Sequence, residues 1–242
     1  MKAISTLFAM LDRPEAALKS VAEHPRRWLV MALLLVLSLA ALTFVSTDRA
    51  VALANERSQV MIERLVESMP ADQAEAVRAR AGARSMTPSQ YWLTALGGGA
   101  LLAFIGWAVR GAVIHFSSMA LGGTSSWPGT FAMTVWTSFP FMVRNIVQTV
   151  YVAVAGELIE HQGLSAFVAS GDWLQNSRDI TYNLLSRIDP FTLWFLVVST
   201  AGVAAATKVS KGKAALLVIV LWVVGLGLGV IPVWIGRRFL PG

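Results

Sequence analysis

The sequence predicts an all-α integral membrane protein, a polytopic bundle of five transmembrane helices with amphipathic helices at the membrane surface. Of the 242 residues, 55% are hydrophobic and only 14% are charged, whereas soluble domains contain about 25% charged residues. Uncharged segments recur at lengths that cross the roughly 30 Å hydrocarbon core of a bilayer. The mean hydropathy of +0.60 is that of a chain dissolved mostly in lipid. We therefore expect one membrane domain, residues 28–236, after a cytoplasmic amphipathic segment, residues 1–27.

The composition also narrows the classes of function. The chain contains no cysteine, which excludes a disulfide framework, a thiol nucleophile and a thiolate metal site. Its net charge is +6, but lysine and arginine cluster at the ends of the apolar segments. Such placement is typical of membrane topology signals and of contacts with anionic lipid head groups. We expect membrane lipids, anionic ones included, as partners and no nucleic acid.

The amino-terminal segment is predicted to be an amphipathic helix. Pro14 suits the first turn of a helix, and His24-Pro25 ends it. Between them, Leu18 and Val21 share one helical face. We expect this face to lie on the membrane surface.

Five apolar segments follow as predicted spans. Residues 28–47 are predicted to be an uncleaved span, because the segment before them is too long and too acidic for a signal peptide. Two polar loops separate the spans, residues 48–90 with two helix-prone stretches and residues 156–189 with an acidic character. The spans cover residues 28–47, 91–115, 131–155, 191–207 and 214–236.

The distribution of charge predicts a cytoplasmic amino terminus and an external carboxyl terminus. The amino-terminal segment and the 208–213 turn are basic, whereas the 156–189 loop is acidic, and cytoplasmic loops carry the excess of lysine and arginine. Both long loops are then external. The 48–90 loop opposes this orientation with six basic residues.

Span three carries the least typical residues for a membrane helix. Pro140 interrupts the segment, and Arg144 lies past its midplane although no acidic residue occurs within any predicted span. Lipid satisfies neither a freed carbonyl nor a guanidinium, so other spans must cover both. Arg144 then either contacts an anionic lipid or solute, or it is a packing residue satisfied within the bundle by groups such as Asn145 and Gln148. Both interpretations stay open.

Arg110 and His115 lie at the far end of span two. We expect them to be interfacial anchors, with Arg110 extending its side chain to the head groups. Together with Arg144, Asn145 and Gln148, they are the candidate contacts for a lipid or a partner.

Glycine residues and one proline are predicted to serve helix packing. Gly122 and Gly123 form a short turn before span three. Gly225 and Gly229 form a GxxxG pair in span five, which would seat another helix of this chain or of a second copy. Pro140 completes this set of packing residues.

No catalytic, cofactor or metal site is predicted, and we expect a protein that is not an enzyme. Glu157, Glu160 and His161 match no standard zinc spacing. His115 lies near the Ser117-Ser118 pair, but neighbouring positions on a helix do not face one another, so a nucleophile and its base are not indicated.

A series of short motifs runs along the chain. They are Leu11-Asp12-Arg13-Pro14, His24-Pro25, Met69-Pro70-Ala71-Asp72-Gln73, Leu121-Gly122-Gly123-Thr124, Phe139-Pro140, Ile188-Asp189-Pro190-Phe191 and residues 208–214. Their order and spacing over about residues 10–235 resemble the bacterial branch of the Yip-domain family, named for eukaryotic relatives that interact with Ypt/Rab GTPases. The resemblance implies five spans, a cytoplasmic amino terminus, a bacterial inner membrane, and an association with transport or envelope systems. It offers no catalytic residues to carry over.

Two functions follow as hypotheses. The first is a non-enzymatic integral membrane scaffold or accessory protein that binds membrane-protein partners, associates with itself or organises lipid. The second is a lipid or small-solute transporter that uses the Pro140 and Arg144 region, because discontinuous helices often mark substrate sites.

Overall fold

In the computed structural model, which describes residues 3–67, 69–82 and 85–239, every regular element is helical. The first six helices are α1 (Ala3–Asp12), α2 (Pro14–Glu23), α3 (Trp28–Val66), α4 (Ala71–Gly82), α5 (Pro88–Trp92) and α6 (Gly99–Ala120). The others are α7 (Trp127–Trp136), α8 (Phe139–Ala155), α9 (Trp173–Arg178), α10 (Ile180–Leu185), α11 (Pro190–Thr207) and α12 (Lys211–Phe239). A π-helical segment, Leu93–Gly98, joins α5 to α6. The predicted all-α class is confirmed.

Within the described residues, four helical stretches are long and apolar enough to cross a membrane. They are Pro25–Val66, Pro88–Ala120, Pro190–Thr207 and Lys211–Ile235, and they contain predicted spans one, two and four and most of span five. The predicted third span is divided between α7, with 10 residues, and α8, with 17 residues. Each is shorter than the roughly 20 residues of a typical span. A multi-pass membrane protein is therefore supported, while five spans stay a prediction.

Several helix boundaries follow from local signals in the sequence. Helix α2 begins at Pro14 and ends before His24-Pro25, as predicted. Ser126 caps α7 by accepting the amide of Gly129, and Asp189 caps α11 by accepting that of Thr192. Such caps satisfy amide groups that have no partner within the helix.

The chain forms two compact units, which are described separately. One comprises Met1–Leu35, Ala103–Asn145 and Ile159–Gly242, and the other comprises Val36–Leu102 and Ile146–Leu158.

The core of the larger unit forms where α2 meets α7 and α11. Leu18, Val21 and Trp136 are fully buried there. The indole nitrogen of Trp136 donates to the carbonyl of Arg27 at 3.0 Å. The α2 face that we expected on the membrane surface therefore packs on protein, because the short α7 presents a buried apolar surface to it.

Helix α1 in the same unit keeps an apolar face directed outward. Ile4, Phe8 and Leu11 are exposed on one side, whereas Thr6 and Met10 are buried on the other. An exposed apolar stripe at this helical spacing makes α1 amphipathic, although the surface helix that we predicted from the sequence is the one that begins at Pro14.

The predicted packing glycines of the 121–124 turn lie at the end of α11. Thr124 donates its amide to the carbonyl of Thr207 at 2.8 Å. A β-carbon on Gly123 would come within 2.6 Å of that carbonyl oxygen, so only glycine fits without a shift. Gly122 has a positive φ of 84°, which a residue with a side chain rarely adopts.

In the smaller unit, α3 contacts residues that lie far from it in the sequence. A β-carbon on Gly99 would lie 3.2 Å from the side chain of Leu39. Farther along α3, the side chain of Asn55 exchanges two hydrogen bonds with the backbone of Met86. Glu63 accepts two hydrogen bonds from Arg78 of α4 at 3.1 and 2.9 Å. These contacts order the chain that follows the first apolar span.

Candidate functional site

The break between α7 and α8 is the starting point of the site. Pro140 lies in the first turn of α8, where its missing N–H costs no helical hydrogen bond. Just before it, the amide of Ser138 donates to the carbonyl of Val135, three residues back, at 3.1 Å. The carbonyl of Thr134, which a continuous helix would give to Ser138, is thereby released.

The released carbonyl accepts the hydroxyl of Thr137 at 2.8 Å and is also reached by Arg110 of α6. The Nη2 of Arg110 donates to Thr134 O at 2.9 Å and to Ser138 Oγ at 3.2 Å. The indole nitrogen of Trp107 donates to the same Ser138 hydroxyl at 3.0 Å. We expected Arg110 to extend outward to the membrane interface, but its side chain is directed inward, because the break in the neighbouring helix provides acceptors inside the bundle. Its role as a lipid or partner contact stays a prediction.

Arg144 of α8 forms an ion pair with Asp189. Its Nη1 lies 3.2 Å from Asp189 Oδ2, and the Asp189 side chain is only 10% exposed. The other carboxylate oxygen accepts the amide of Thr192 at 2.6 Å. Asp189 thus neutralises Arg144 and caps α11 with the same side chain. This partner was not predicted from the sequence because Asp189 lies just outside the apolar segment.

Two phenylalanine rings connect the two arginines. Cζ of Arg110 lies 4.8 Å from the ring centroid of Phe195, and Cζ of Arg144 lies 5.0 Å from that of Phe141. The two rings are stacked, with centroids 5.0 Å apart. Since aromatic faces attract cations, these rings hold both guanidinium groups against an apolar surface.

These residues line a cleft with a volume of about 840 Å³, a size typical of ligand sites. Its walls come from α6, α8, α11, α12 and the segment before α11. The charged side chains among its lining residues are Arg110, Arg144 and Arg187, and we call it the arginine cleft. The apolar lining residues include Val109, Val113, Ile114, Phe141, Phe195, Val218, Leu221, Trp222, Val224, Leu226 and Leu228.

Three polar atoms on this cleft have no hydrogen-bond partner although they are buried. They are Nε of Arg110, Nε of Arg144 and Oγ of Ser199. Ser199 is only 3% exposed. An unpaired buried donor costs about 1–3 kcal/mol, so these three atoms, on side chains that line the cleft, are the donors that an acceptor bound there would satisfy.

Arg187 lies at the exposed rim of the cleft and is held by α12. Its Nη2 donates to the carbonyl of Gly229 at 3.2 Å. Gly225 also lines the cleft, and a β-carbon there would meet open space. In this chain, the GxxxG pair therefore borders the arginine cleft.

The remaining predicted contacts lie elsewhere. His115 has its Nδ1 3.1 Å from Ser125 Oγ and packs beside Trp127. Asn145 and Gln148 follow Arg144 on α8, and neither lines the cleft. Their role as lipid or partner contacts stays a prediction.

The acidic loop does not assemble a metal cluster in the described part of the chain. His161 has its Nδ1 2.9 Å from the hydroxyl of Tyr182. Glu160 contributes its backbone carbonyl, which accepts from the same hydroxyl at 3.5 Å. These contacts attach the loop to α10.

The residues that sequence reasoning missed differ in the signals they carry. Asp189 directly precedes Pro190 at the start of α11, and an aspartate at that position often serves as a cap. Arg187 carried no such signal. Ser199 carried no signal, because a serine in an apolar segment is common in membrane helices.

A family model described as the Yip1 domain matches residues 8–231 of the chain. The match includes every residue that lines the arginine cleft. Searches among curated proteins and among solved structures found no match.

Proposed function

Because the chain belongs to the Yip1-domain family of membrane proteins, we propose that it is a non-enzymatic membrane protein that binds and organises anionic lipid through the arginine cleft. The observation that carries this proposal is the presence of three arginines and three unpaired buried polar atoms on one largely apolar cleft. The Yip1 family is not known as an enzyme family. Binding an amphiphile needs no nucleophile or general base.

The chemistry of the lining residues favours a lipid over a water-soluble anion. Guanidinium groups bind phosphate through paired hydrogen bonds. A soluble anion in the cleft would lie against the apolar side chains of α6 and α12 without covering them. The acyl chain of a lipid would cover these side chains. An anionic lipid satisfies both parts of the surface.

The first test is native mass spectrometry of the protein released from its own membranes in a mild detergent. Wild type and Arg178→Gln, a control outside the cleft, should retain an anionic lipid. Arg144→Gln should lose most of it, and its unfolding temperature is measured alongside because glutamine leaves the nearly buried Asp189 without a counterion. Equal lipid retention by all three proteins would contradict the proposal.

The same spectra test the accessory-protein alternative. A defined protein partner in every sample, with no bound anionic lipid in any, would favour partner binding over lipid organisation. The bacterial inner membrane and the cytoplasmic amino terminus belong to this proposal as its expected setting.

Transport of lipid or solute is a second candidate, and the broken α7–α8 segment favours it. Discontinuous helices supply backbone groups to substrate sites in many transporters. In liposomes with labelled anionic lipid, movement of the label between leaflets would support transport. Retention of lipid without such movement would support the organising role.

A further inference from the structure

We infer that the arginine cleft selects lipids with a dianionic phosphomonoester head group over lipids with a monoanionic phosphodiester head group. This inference rests on the proposed function, since it names the class of lipid that the same cleft takes. It derives from the balance of charge and of hydrogen-bond donors at the cleft.

Within residues 3–67, 69–82 and 85–239, the salt bridges leave two of the three positive charges at the cleft without an acidic partner. Arg110, Arg144 and Arg187 line the cleft, and arginine stays charged in proteins. Asp189 pairs with Arg144 and supplies one negative charge. The described residues that line the cleft include no acidic side chain. The contacts of Arg110 are with neutral groups, namely a carbonyl, a hydroxyl and an aromatic ring.

A ligand with two negative charges matches this balance. Unpaired charge in an apolar environment is costly, and attraction between opposite charges is stronger there than in water. A phosphodiester head group carries one charge and leaves one guanidinium without a counterion. A phosphomonoester carries up to two charges, because its second pKa is about 6.

The donors point to the same head group. Nε of Arg110, Nε of Arg144 and Oγ of Ser199 are buried without partners. A phosphomonoester presents three terminal oxygens as strong acceptors. A phosphodiester has one fewer, because a second ester bond occupies it. The monoester therefore provides more acceptors to the cleft.

Asp189 strengthens the discrimination. Its carboxylate already occupies one Nη of Arg144 at 3.2 Å and is held in place by its bond to the amide of Thr192. An incoming head group competes with this internal anion for Arg144. A head group with one negative charge gains little when it replaces Asp189 as the counterion of Arg144. A head group with two charges pairs with Arg144 through one charge and with another arginine through the second.

The test is a competition at pH 8, where the monoester is doubly charged. The purified full-length protein is mixed with equal amounts of phosphatidic acid, phosphatidylglycerol and phosphatidylcholine that carry identical acyl chains, and bound lipids are counted by native mass spectrometry. Phosphatidic acid should be retained about tenfold more than phosphatidylglycerol, the ratio expected for one additional charge-assisted hydrogen bond. Excess inorganic phosphate should not displace it, because phosphate covers no apolar wall.

Arg187→Gln provides the decisive variant. Arg187 is exposed at the rim, so its replacement should leave the fold intact while reducing the unpaired positive charge from two to one. The preference for phosphatidic acid should then fall to about twofold or less. Arg178→Gln, in the same loop but outside the cleft, should keep the wild-type preference.

The outcomes separate the two levels of the proposal. Equal retention of phosphatidic acid and phosphatidylglycerol, both above phosphatidylcholine, would overturn the selection of the dianion and leave anionic lipid binding intact. Equal retention of all three lipids would overturn both. Displacement by inorganic phosphate alone would assign the cleft to a soluble phosphate and overturn the lipid assignment.

Discussion

Arg187 lies against the α-carbon of Gly229, so that a β-carbon built there would come within 2.5 Å of the guanidinium carbon. The arginine also donates to the carbonyl of Gly229 at 3.2 Å. Because Gly229 has no side chain, the guanidinium of Arg187 packs directly on the backbone of α12 at the rim of the cleft. A GxxxG pair in a membrane helix usually indicates contact with another helix, but here one of its glycines accommodates an arginine.

Replacing Gly229 with valine should have the same effect on lipid binding as replacing Arg187. The valine side chain would force the guanidinium away from the rim, and retention of anionic lipid should fall severalfold. Native mass spectrometry in detergent measures this fall. Gly227→Val is the matched control, because a β-carbon at Gly227 meets open space on the same helix. A Gly229 variant that changes the oligomeric state but keeps its lipid would instead favour the helix-packing role predicted from the sequence.

Replacing Asp189 with asparagine should increase the retention of anionic lipid. Asparagine is a good N-cap and keeps the bond to the amide of Thr192, but it removes the charge that competes for Arg144. We expect a severalfold increase, measured as the fraction of protein molecules with bound lipid. Unchanged or lower retention would show that Asp189 does not compete with the ligand.

Replacing Asp189 with alanine separates its two roles. This variant loses both the charge and the cap, so its free energy of unfolding should lie about 1 kcal/mol below that of Asp189→Asn. Thermal unfolding of both variants in the same detergent gives the comparison. Equal stability of the two variants would mean that the cap at α11 contributes little.

Replacing Ser138, at the break between α7 and α8, with alanine should destabilise the protein. The hydroxyl is shared by Trp107 and Arg110, and its removal leaves the buried indole N–H without an acceptor. We expect a loss of about 1–3 kcal/mol in the free energy of unfolding. Ser117→Ala, at a half-buried position of α6, controls for truncation of a serine in a membrane helix. Stability equal to that of the control would contradict the structural role of the Ser138 hydroxyl.

Glu63 and Arg78 form an ion pair outside the predicted membrane span, and we expect the stability of their contact to depend on pH. Glu63 lies about 24 Å beyond Thr47 by helical rise. The hydrogen bonds from Arg78 lower the pKa of Glu63 below its ordinary value. Since the folded pKa is the lower one, the stabilisation is present above the unfolded pKa. It is lost as the pH falls through the folded pKa.

Hydrogen exchange of α4 measures this response. At neutral pH, amide protection in α4 should be greater in wild type than in Glu63→Gln. After correction for intrinsic exchange rates, the difference should disappear as acid protonates Glu63. Both side chains are largely exposed, so a small difference is expected. A difference that persists in acid would exclude the ion pair as its cause.

Patterns of apolar residues were sufficient to predict the helical class and most of the long helices. The start of α2 at Pro14 and its end before His24-Pro25 could also be predicted, because proline and capping residues act locally. The resemblance that rested on the order of short motifs is confirmed at the level of the family.

The cleft itself was only partly predictable. Arg144 stood out because charge within an apolar segment is rare. The partner Asp189 and the acceptors of Arg110 were not predicted, since they depend on which helices become neighbours. The break at Ser138 illustrates the difficulty. Proline marks its position, but only the fold determines which side chain of another helix donates to the released carbonyl.

The distance in sequence between Arg144 and Asp189 sets an order of events during synthesis. Arg144 leaves the ribosome 45 residues before its counterion, and Phe195 and Ser199 of the cleft emerge later still. Because α12 also lines it, the cleft cannot be complete until α11 and α12 have been made and have docked. A nascent chain that stops before α11 carries an uncompensated arginine into the bilayer. Assembly of the binding surface is thus a late step in the biogenesis of this bundle, after its first helices are already in place.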